Sequence, residues 1–243
     1  MAQSHSETIR FEDVSYSVGN VEILTNISGS IMMNQITTLV GPSGSGKTTL
    51  LKLCNGLISP TSGRVYIDGQ SIDTYEPVEL RRKIGFALQS APMVRGTVYD
   101  NLTLPLSLQG KKLHKKQALA HLDTVGLAHH FLTYNVADLS GGQRQKVSIA
   151  RTLINDSDIL LLDEITSALD QTSASDIEQL IHKMKDIHGK TIIWITHNLN
   201  QAKKLGDYTW IMANGKLVET GTIDILDHPT TEAARHFIEG GQA

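Results

Sequence analysis

Gly41-Pro42-Ser43-Gly44-Ser45-Gly46-Lys47-Thr48 fits the GxxxxGK[ST] pattern in full. Gly41, Gly44 and Gly46 let the backbone fold tightly enough to aim successive N–H groups at the β- and γ-phosphates of a nucleotide. Lys47 adds a point charge, Thr48 a hydroxyl for Mg²⁺, and Ser43, Ser45 and Thr49 complete the candidate nucleotide-binding set. Working outward, Ile36-Thr37-Thr38-Leu39-Val40 reads as a buried strand feeding the loop, and Lys47–Asn55 as the helix leaving it. The motif requires this setting, because the helix N-terminus then points its partial positive charge at the phosphates.

A second glycine loop, Leu139-Ser140-Gly141-Gly142-Gln143, stands well downstream. One bound nucleotide already has its phosphates cradled by the first loop. The simplest reading is that the second serves a nucleotide held by another copy of the chain. Further on, Ile159-Leu160-Leu161-Leu162-Asp163-Glu164 sets two carboxylates at the exposed end of a buried strand. Strand C-termini of a parallel sheet converge on the ligand crevice. Asp163 is then placed to hold Mg²⁺ through a coordinated water, and Glu164 to polarise the water attacking the γ-phosphate. Alone, the pair reads equally well as charges capping a strand; beside a complete phosphate loop, catalysis is favoured.

The opening, Ile9 to Ile31, alternates apolar and polar residues with breaks at Gly19-Asn20 and Gly29, which predicts a small antiparallel sheet. Ser59 to Gly63 is a turn, Arg64 to Ile67 with Asp68-Gly69 a hairpin strand, and Ile84 to Leu88 a strand ending at Gln89. From about Thr97 to Leu153 the periodicity is helical, broken by Gly110, Gly126 and Ser140-Gly141-Gly142. Strands at Ile159–Leu162 and Thr191–Ile195 flank an amphipathic helix from about Gln171 to His188, implying a parallel sheet covered on both faces. A hairpin about Asn214-Gly215 and a short helix close the chain. The expected fold class is α/β, with a mainly parallel sheet, an N-terminal antiparallel β subdomain and an inserted helical subdomain. Residues 1–243 form a single domain in this reading: 1–88 and 154–243 are the nucleotide-binding core, and 89–153 the helical subdomain with the second glycine loop.

A chain of 243 residues with 40% hydrophobic content has enough apolar surface for a substantial core. Its formal charge of −3 offers no general attraction to nucleic acid or to an anionic membrane. The basic cluster Lys111 to Lys116 reads as the solvated start of a helix. The single cysteine, Cys54, cannot pair within the chain and reads as a small buried side chain in a reducing cytoplasm. Met1 to Arg10 lacks the apolar stretch of a signal peptide, and no run approaches the about 18 apolar residues that span a bilayer. The expectation is a cytoplasmic protein that meets a membrane only through a partner.

Together these residues resemble the nucleotide-binding subunit of an ABC transporter, from about residue 9 to about residue 230. A phosphate loop is shared by many NTPases; a Ser-Gly-Gly-Gln loop about twenty residues before an Asp-Glu strand is far more specific. The resemblance implies a P-loop NTPase core, ATP and Mg²⁺ as cofactors, ATP hydrolysis coupled to transport, a homodimer and an integral-membrane permease on the inner face of the cell membrane. Two subunits would pack head to tail, each ATP lying between the phosphate loop of one and Ser140, Gly142 and Gln143 of the other. It also implies that Gln89 senses Mg²⁺ and the attacking water, its loop touching the permease. His197 would bond the γ-phosphate and orient Glu164. Within Thr166-Ser167-Ala168-Leu169-Asp170, Asp170 would be the main polar contact between subunits, and Tyr16 would stack on adenine. Outside that context, Gln89 reads as a surface residue and Tyr16 as an exposed strand tyrosine. His129-His130, adjacent in sequence, read as surface residues.

One departure stands out: families of this type commonly have proline after the Asp-Glu pair, whereas this chain has Ile165, expected to leave that loop less restrained. Thr97 to Leu102 with Glu164 to Ser167 is also similar to short bacterial ATPases paired with small permeases, including iron-export and phosphate-like systems. Two other classes compete. A soluble, non-transport ABC ATPase of DNA or ribosomes would bring long coiled coils, a second cassette or a basic surface, and this chain has none of them. A nucleotide-dependent regulatory switch would not need Asp163, Glu164 and His197 together.

Overall fold

A computed structural model describes residues 6–240. Strands β1 (Glu7–Val18) and β2 (Val21–Met32) form an antiparallel hairpin that turns at Gly19-Asn20. Gly29 does not break β2 as expected; it pairs with Phe11 in mid-ladder. Its missing side chain makes room for Trp210, whose ring would meet an added Cβ at 3.0 Å. The glycine thus marks a close approach between two sheets, not a turn.

Next come β3 (Ile36–Val40), α1 (Lys47–Cys54), β4 (Ser62–Ile67) and the short β5 (Gln70–Ser71). β4 pairs with β1 and with β5, giving a first sheet of order β2-β1-β4-β5. Helix α2 (Pro77–Lys83), which the sequence reading passed over, is started by Glu76, whose side chain accepts from Val78 N, and leads into β6 (Ile84–Ala87). Three helices follow: α3 (Val98–Ser107), α4 (Lys115–Thr124) and α5 (Gly141–Leu153). The remainder is β7 (Ile159–Asp163), α6 (Gln171–Asp186), β8 (Thr191–Ile195), α7 (Leu199–Leu205), β9 (Tyr208–Ala213), β10 (Lys216–Thr222) and α8 (Glu232–Ile238). Among these, α7 was also unforeseen. The second sheet runs β10-β9-β3-β8-β7-β6, parallel throughout except for the β9–β10 hairpin. The chain is therefore α/β, with a mainly parallel sheet, an antiparallel N-terminal sheet and helices between β6 and β7.

Every residue of β3, β7 and β8 is buried, and the period-2 alternation of a strand divides them between two cores. Leu39, Ile159, Leu161, Ile193 and Ile195 face α1 and the antiparallel sheet. Leu160, Leu162, Ile192 and Trp194 face the helices, packing with Val147, Ile177 and Ile181. Continuous apolar strands are what a sheet covered on both faces demands. Cys54 belongs to the first core, where burial pushes its thiol far up. Ser140-Gly141-Gly142, expected to interrupt the helical pattern, instead opens α5. Ser140 Oγ accepts from Gln143 N at 3.2 Å while Gln143 Oε1 accepts from Ser140 N at 2.9 Å, a reciprocal cap. Among the described residues no helix is long and apolar enough to cross a membrane.

The contact between the sheets at Gly29 is testable. Gly29→Val places a branched side chain against the fully buried Trp210 ring and should destabilise the protein by about 1–3 kcal/mol. Urea denaturation followed by tryptophan fluorescence checks it; an unchanged midpoint would show that the ring has room to yield.

Candidate functional site

The phosphate loop begins where β3 ends. Gly41 has φ +147°, and a Cβ there would lie 2.0 Å from the Met212 carbonyl oxygen, so β9 presses directly on the loop. Gly46, at φ +97°, is the N-cap of α1; a Cβ on it would meet Leu24 Cδ2 at 2.6 Å. No side chain caps α1, which leaves its first-turn N–H groups for an anion. Ser43 is exposed, Ser45 buried, and Thr49 half-buried in the first helical turn. Leu24 pairs with Tyr16 across the β1–β2 ladder, so the half-buried Tyr16 stands one strand away from the residue that touches the loop.

Lys47 is buried, and its Nζ donates to the Gly41 and Pro42 carbonyl oxygens at 2.8 Å each. Burial holds its pKa below the usual lysine range, opposed by the negative charges of Glu164 and Asp163. The ammonium therefore sits in a desolvated place with dipoles, not a contact ion pair, for partners. Thr48 Oγ1 donates to Asp163 Oδ1 at 3.2 Å. Burial raises the Asp163 pKa, with the Thr48 hydrogen bond opposing. A hydroxyl and a desolvated carboxylate side by side are hard oxygen donors suited to Mg²⁺.

Glu164 follows at once and leaves β7 with φ +48°, a left-handed conformation that costs a non-glycine residue about 1–3 kcal/mol. Its backbone N donates to Ile195 O at 3.1 Å, joining it to the end of β8. The turn aims its carboxylate at residues from both neighbouring strands. His197 Nε2 lies 2.5 Å from Glu164 Oε1, beyond β8. Gln89 Nε2, two residues past β6, donates to Glu164 Oε2 at 3.3 Å and to Ser167 Oγ at 2.9 Å. Ser167 in turn donates to the Glu164 carbonyl at 2.9 Å. Ser167 was not singled out from sequence, and only its place in the Thr166–Asp170 stretch pointed to it. Ile165 is 1% exposed within the helical-side core, so burial, not a proline ring, anchors the loop at that point.

The second glycine loop lies elsewhere. Ser140 and Gln143 hydrogen-bond within their own turn, and both Ser140 and Gly141 are exposed. A Cβ on Gly142 would meet Ser173 Oγ at 2.6 Å, and one on Gly141 would meet Leu169 at 3.5 Å. That loop thus rests on the start of α6 and the Thr166–Asp170 stretch. Asp170 caps α6, accepting from Ser173 N at 3.0 Å and Ser173 Oγ at 2.7 Å, and these bonds hold its carboxyl below the usual range. His129 bonds Asp123 at 2.7 Å and His130 packs beside Phe131 and Tyr134. Neither meets the site residues, and the described residues contain no His, Cys, Asp and Glu cluster fit for a metal ion.

The chain is similar to known proteins over most of its length. Residues 24–167 match the ABC transporter family. The putative ABC transporter ATP-binding protein YjkB of Bacillus subtilis is 46% identical over 221 residues, 90% of this chain and 88% of its own. The probable iron export ATP-binding protein FetA of Escherichia coli is 35% identical over 206 residues, 84% of this chain and 92% of its own. Among solved structures, the dimeric post-hydrolysis state of the ATP-binding cassette MJ0796, bound to ADP and Pi, superposes with a TM-score of 0.79. It is 32% identical and covers 88% of this chain and 98% of its own.

The glycines of the phosphate loop should separate experimentally. Gly44→Ala adds only the cost of φ +80° in open space, about 1 kcal/mol. Gly46→Ala adds a collision with Leu24 to a similar backbone cost, so its chemical-denaturation midpoint should fall further. Equal midpoints would contradict the seating of the loop on β2.

Proposed function

The chain belongs to the ABC transporter family of ATP-binding proteins, and we propose that it hydrolyses ATP in a site it completes only as a homodimer, with Glu164 as the base. The observation that carries this is the convergence of Glu164, His197 and Gln89 from three adjacent strand ends beside the buried Lys47. Residues 1–243 act as one ATPase domain, with 1–88 and 154–243 as its nucleotide-binding core and 89–153 as its helical part. Free backbone N–H groups of the Gly41–Thr49 stretch and the Lys47 ammonium hold the β- and γ-phosphates, with Ser43, Ser45 and Thr49 beside them, and Tyr16 stacks on the adenine. Thr48, Asp163 and Gln89 would hold Mg²⁺, which would supply positive charge to neutralise the phosphates. Glu164 accepts a proton from the attacking water while His197, bonded to its other side, keeps the carboxylate aimed and reaches the γ-phosphate.

Ser140, Gly141, Gly142 and Gln143 serve the nucleotide of the second subunit, with Asp170 beside the same interface. The exposed Ser140, whose hydrogen bonds with Gln143 stay within the turn, supports this division, as does the dimeric state of the MJ0796 cassette. Closure is then stabilised while the γ-phosphate bridges the subunits and lost after hydrolysis. A groove of about 840 Å³ at the sheet end combines exposed Leu57, Val78 and Leu108 with Arg81, Arg82 and Arg151. Its apolar floor and basic rim suit an amphipathic helix with acidic residues, supplied by an integral-membrane permease. Through that partner the chain sits at the cytoplasmic face of the membrane. Cargo is chosen by the permease; the similarity to FetA makes iron the first cargo to assay, and a phosphate-like anion the second.

Glu164→Gln tests the assignment. The variant should bind Mg²⁺-ATP as tightly as the native chain, lose about 10²–10⁴-fold in kcat, and elute as a dimer in ATP. Native turnover would remove Glu164 from the role of base, and a monomer with bound ATP would remove the shared site.

A further inference from the structure

Behind the Glu164–His197 pair lies a second polar cluster that touches neither nucleotide loop. Gln201, on the first turn of α7, accepts through Oε1 from Thr196 Oγ1 at 2.8 Å and from Thr166 Oγ1 at 3.3 Å. Its Nε2 donates to Glu178 Oε1 on α6 at 3.0 Å, and the other Glu178 oxygen accepts from Lys204 at 2.7 Å. Thr166, Thr196 and Glu178 are all buried. The carboxylate settles which way the amide faces: a carboxylate only accepts, so the nitrogen must point at Glu178 and the carbonyl at the two hydroxyls. Rotating the amide would set two oxygens against each other and leave both threonines without an acceptor.

The two hydroxyls flank the reacting groups. Thr166 is two residues beyond Glu164. Thr196 directly precedes His197, and its Oγ1 also accepts from Asn198 N at 3.0 Å, so a single hydroxyl spans the backbone on both sides of the histidine. Asn198 then caps α7, accepting from Asn200 N and Gln201 N, which returns the chain to Gln201 itself. His197 is exposed on its outer side, its side chain 41% accessible, so its direction depends on the backbone beneath it. We infer that Gln201, oriented by Glu178, is a positioning residue for hydrolysis: one amide locks the loop after Glu164 to the loop that carries His197. The inference rests on the roles proposed above for Glu164 and His197, and adds a residue pair outside the substrate and metal set proposed there.

The test is steady-state ATP hydrolysis by the intact chain and its variants. Q201L should lower kcat about tenfold and leave KM for ATP within about twofold, because orientation and not binding is lost. Placed in an H197A background, Q201L should cost less than about twofold more, since the group it positions is already gone. Q201E alone sets two carboxylates face to face and should also lower kcat. Adding E178Q restores the set with only the 201–178 bond reversed: the new carboxylate at position 201 accepts from both threonines, as the amide oxygen did, and from the new amide at 178. The Q201E/E178Q pair should therefore recover kcat to within about threefold of native. Losses that add fully in the H197A background, or a swap that gives no recovery, would overturn the inference even if Q201L alone folds poorly. Native turnover by H197A itself would instead sink the role given to His197, whereas a normal H197A loss with an unaffected Q201L would sink the Gln201 inference alone.

Discussion

A buried ammonium whose hydrogen-bond partners are its own loop's carbonyl oxygens organises the site around it. Lys47 Nζ is held by Gly41 O and Pro42 O, in a loop whose Gly41 and Gly46 adopt backbone angles that other residues rarely take. No side chain caps α1, so the N–H groups of its first turn are left for an anion. Burial disfavours the charged lysine and disfavours the charged Asp163 beside it, so each makes the other's charge less costly. A polyphosphate with its divalent cation answers both needs at once, since the triphosphate supplies a counter-charge for the ammonium and the cation one for the carboxylate.

Such an arrangement must be carried by rigid surroundings. β3, β7 and β8 are buried at every position, and their parallel register brings Val40, Asp163 and Ile195 to one edge of the sheet. Glu164 bears a left-handed backbone there, which persists because Ile165 is sunk in the core on one side and the Glu164 amide is bonded to Ile195 on the other. A proline at 165 would restrain the same turn by closing a ring. This chain reaches the restraint through packing, and so ties the geometry of its proposed base to the stability of the helical-side core.

How much of this could be read in the sequence follows from the range of the interactions. The phosphate loop, its flanking strand and helix, and the Asp163-Glu164 pair are local patterns, and they appear in the structure where expected. The role of Gly29 was misread because its reason is Trp210, far along the chain in another sheet. Ser140 to Gly142 carry the composition of a break, yet the reciprocal bond between Ser140 and Gln143 turns them into a helix start. α7 is short and polar on its exposed side, so periodicity had little to register, and Gln201 carried no signal at all. Its significance lies in Thr166, Thr196 and Glu178, which only the folded chain brings to a single amide.

The two glycine loops differ in what they rest upon, and that difference gives the site its direction. The phosphate loop is pressed between β9 and β2, so its shape is set within the subunit. The Ser140 loop leans on Ser173 of α6 and on Leu169, in the stretch that begins with Glu164 and ends with Asp170. Any displacement of the Thr166–Asp170 segment therefore reaches both the proposed base and the loop proposed to serve the second subunit. Gln201 grips that segment at Thr166 and the histidine loop at Thr196, which places it where the hydrolysis and the subunit contact proposed above share a single backbone. In the proposed dimer the coupling between two nucleotide sites needs no long-range wire, because one short loop would be common to both.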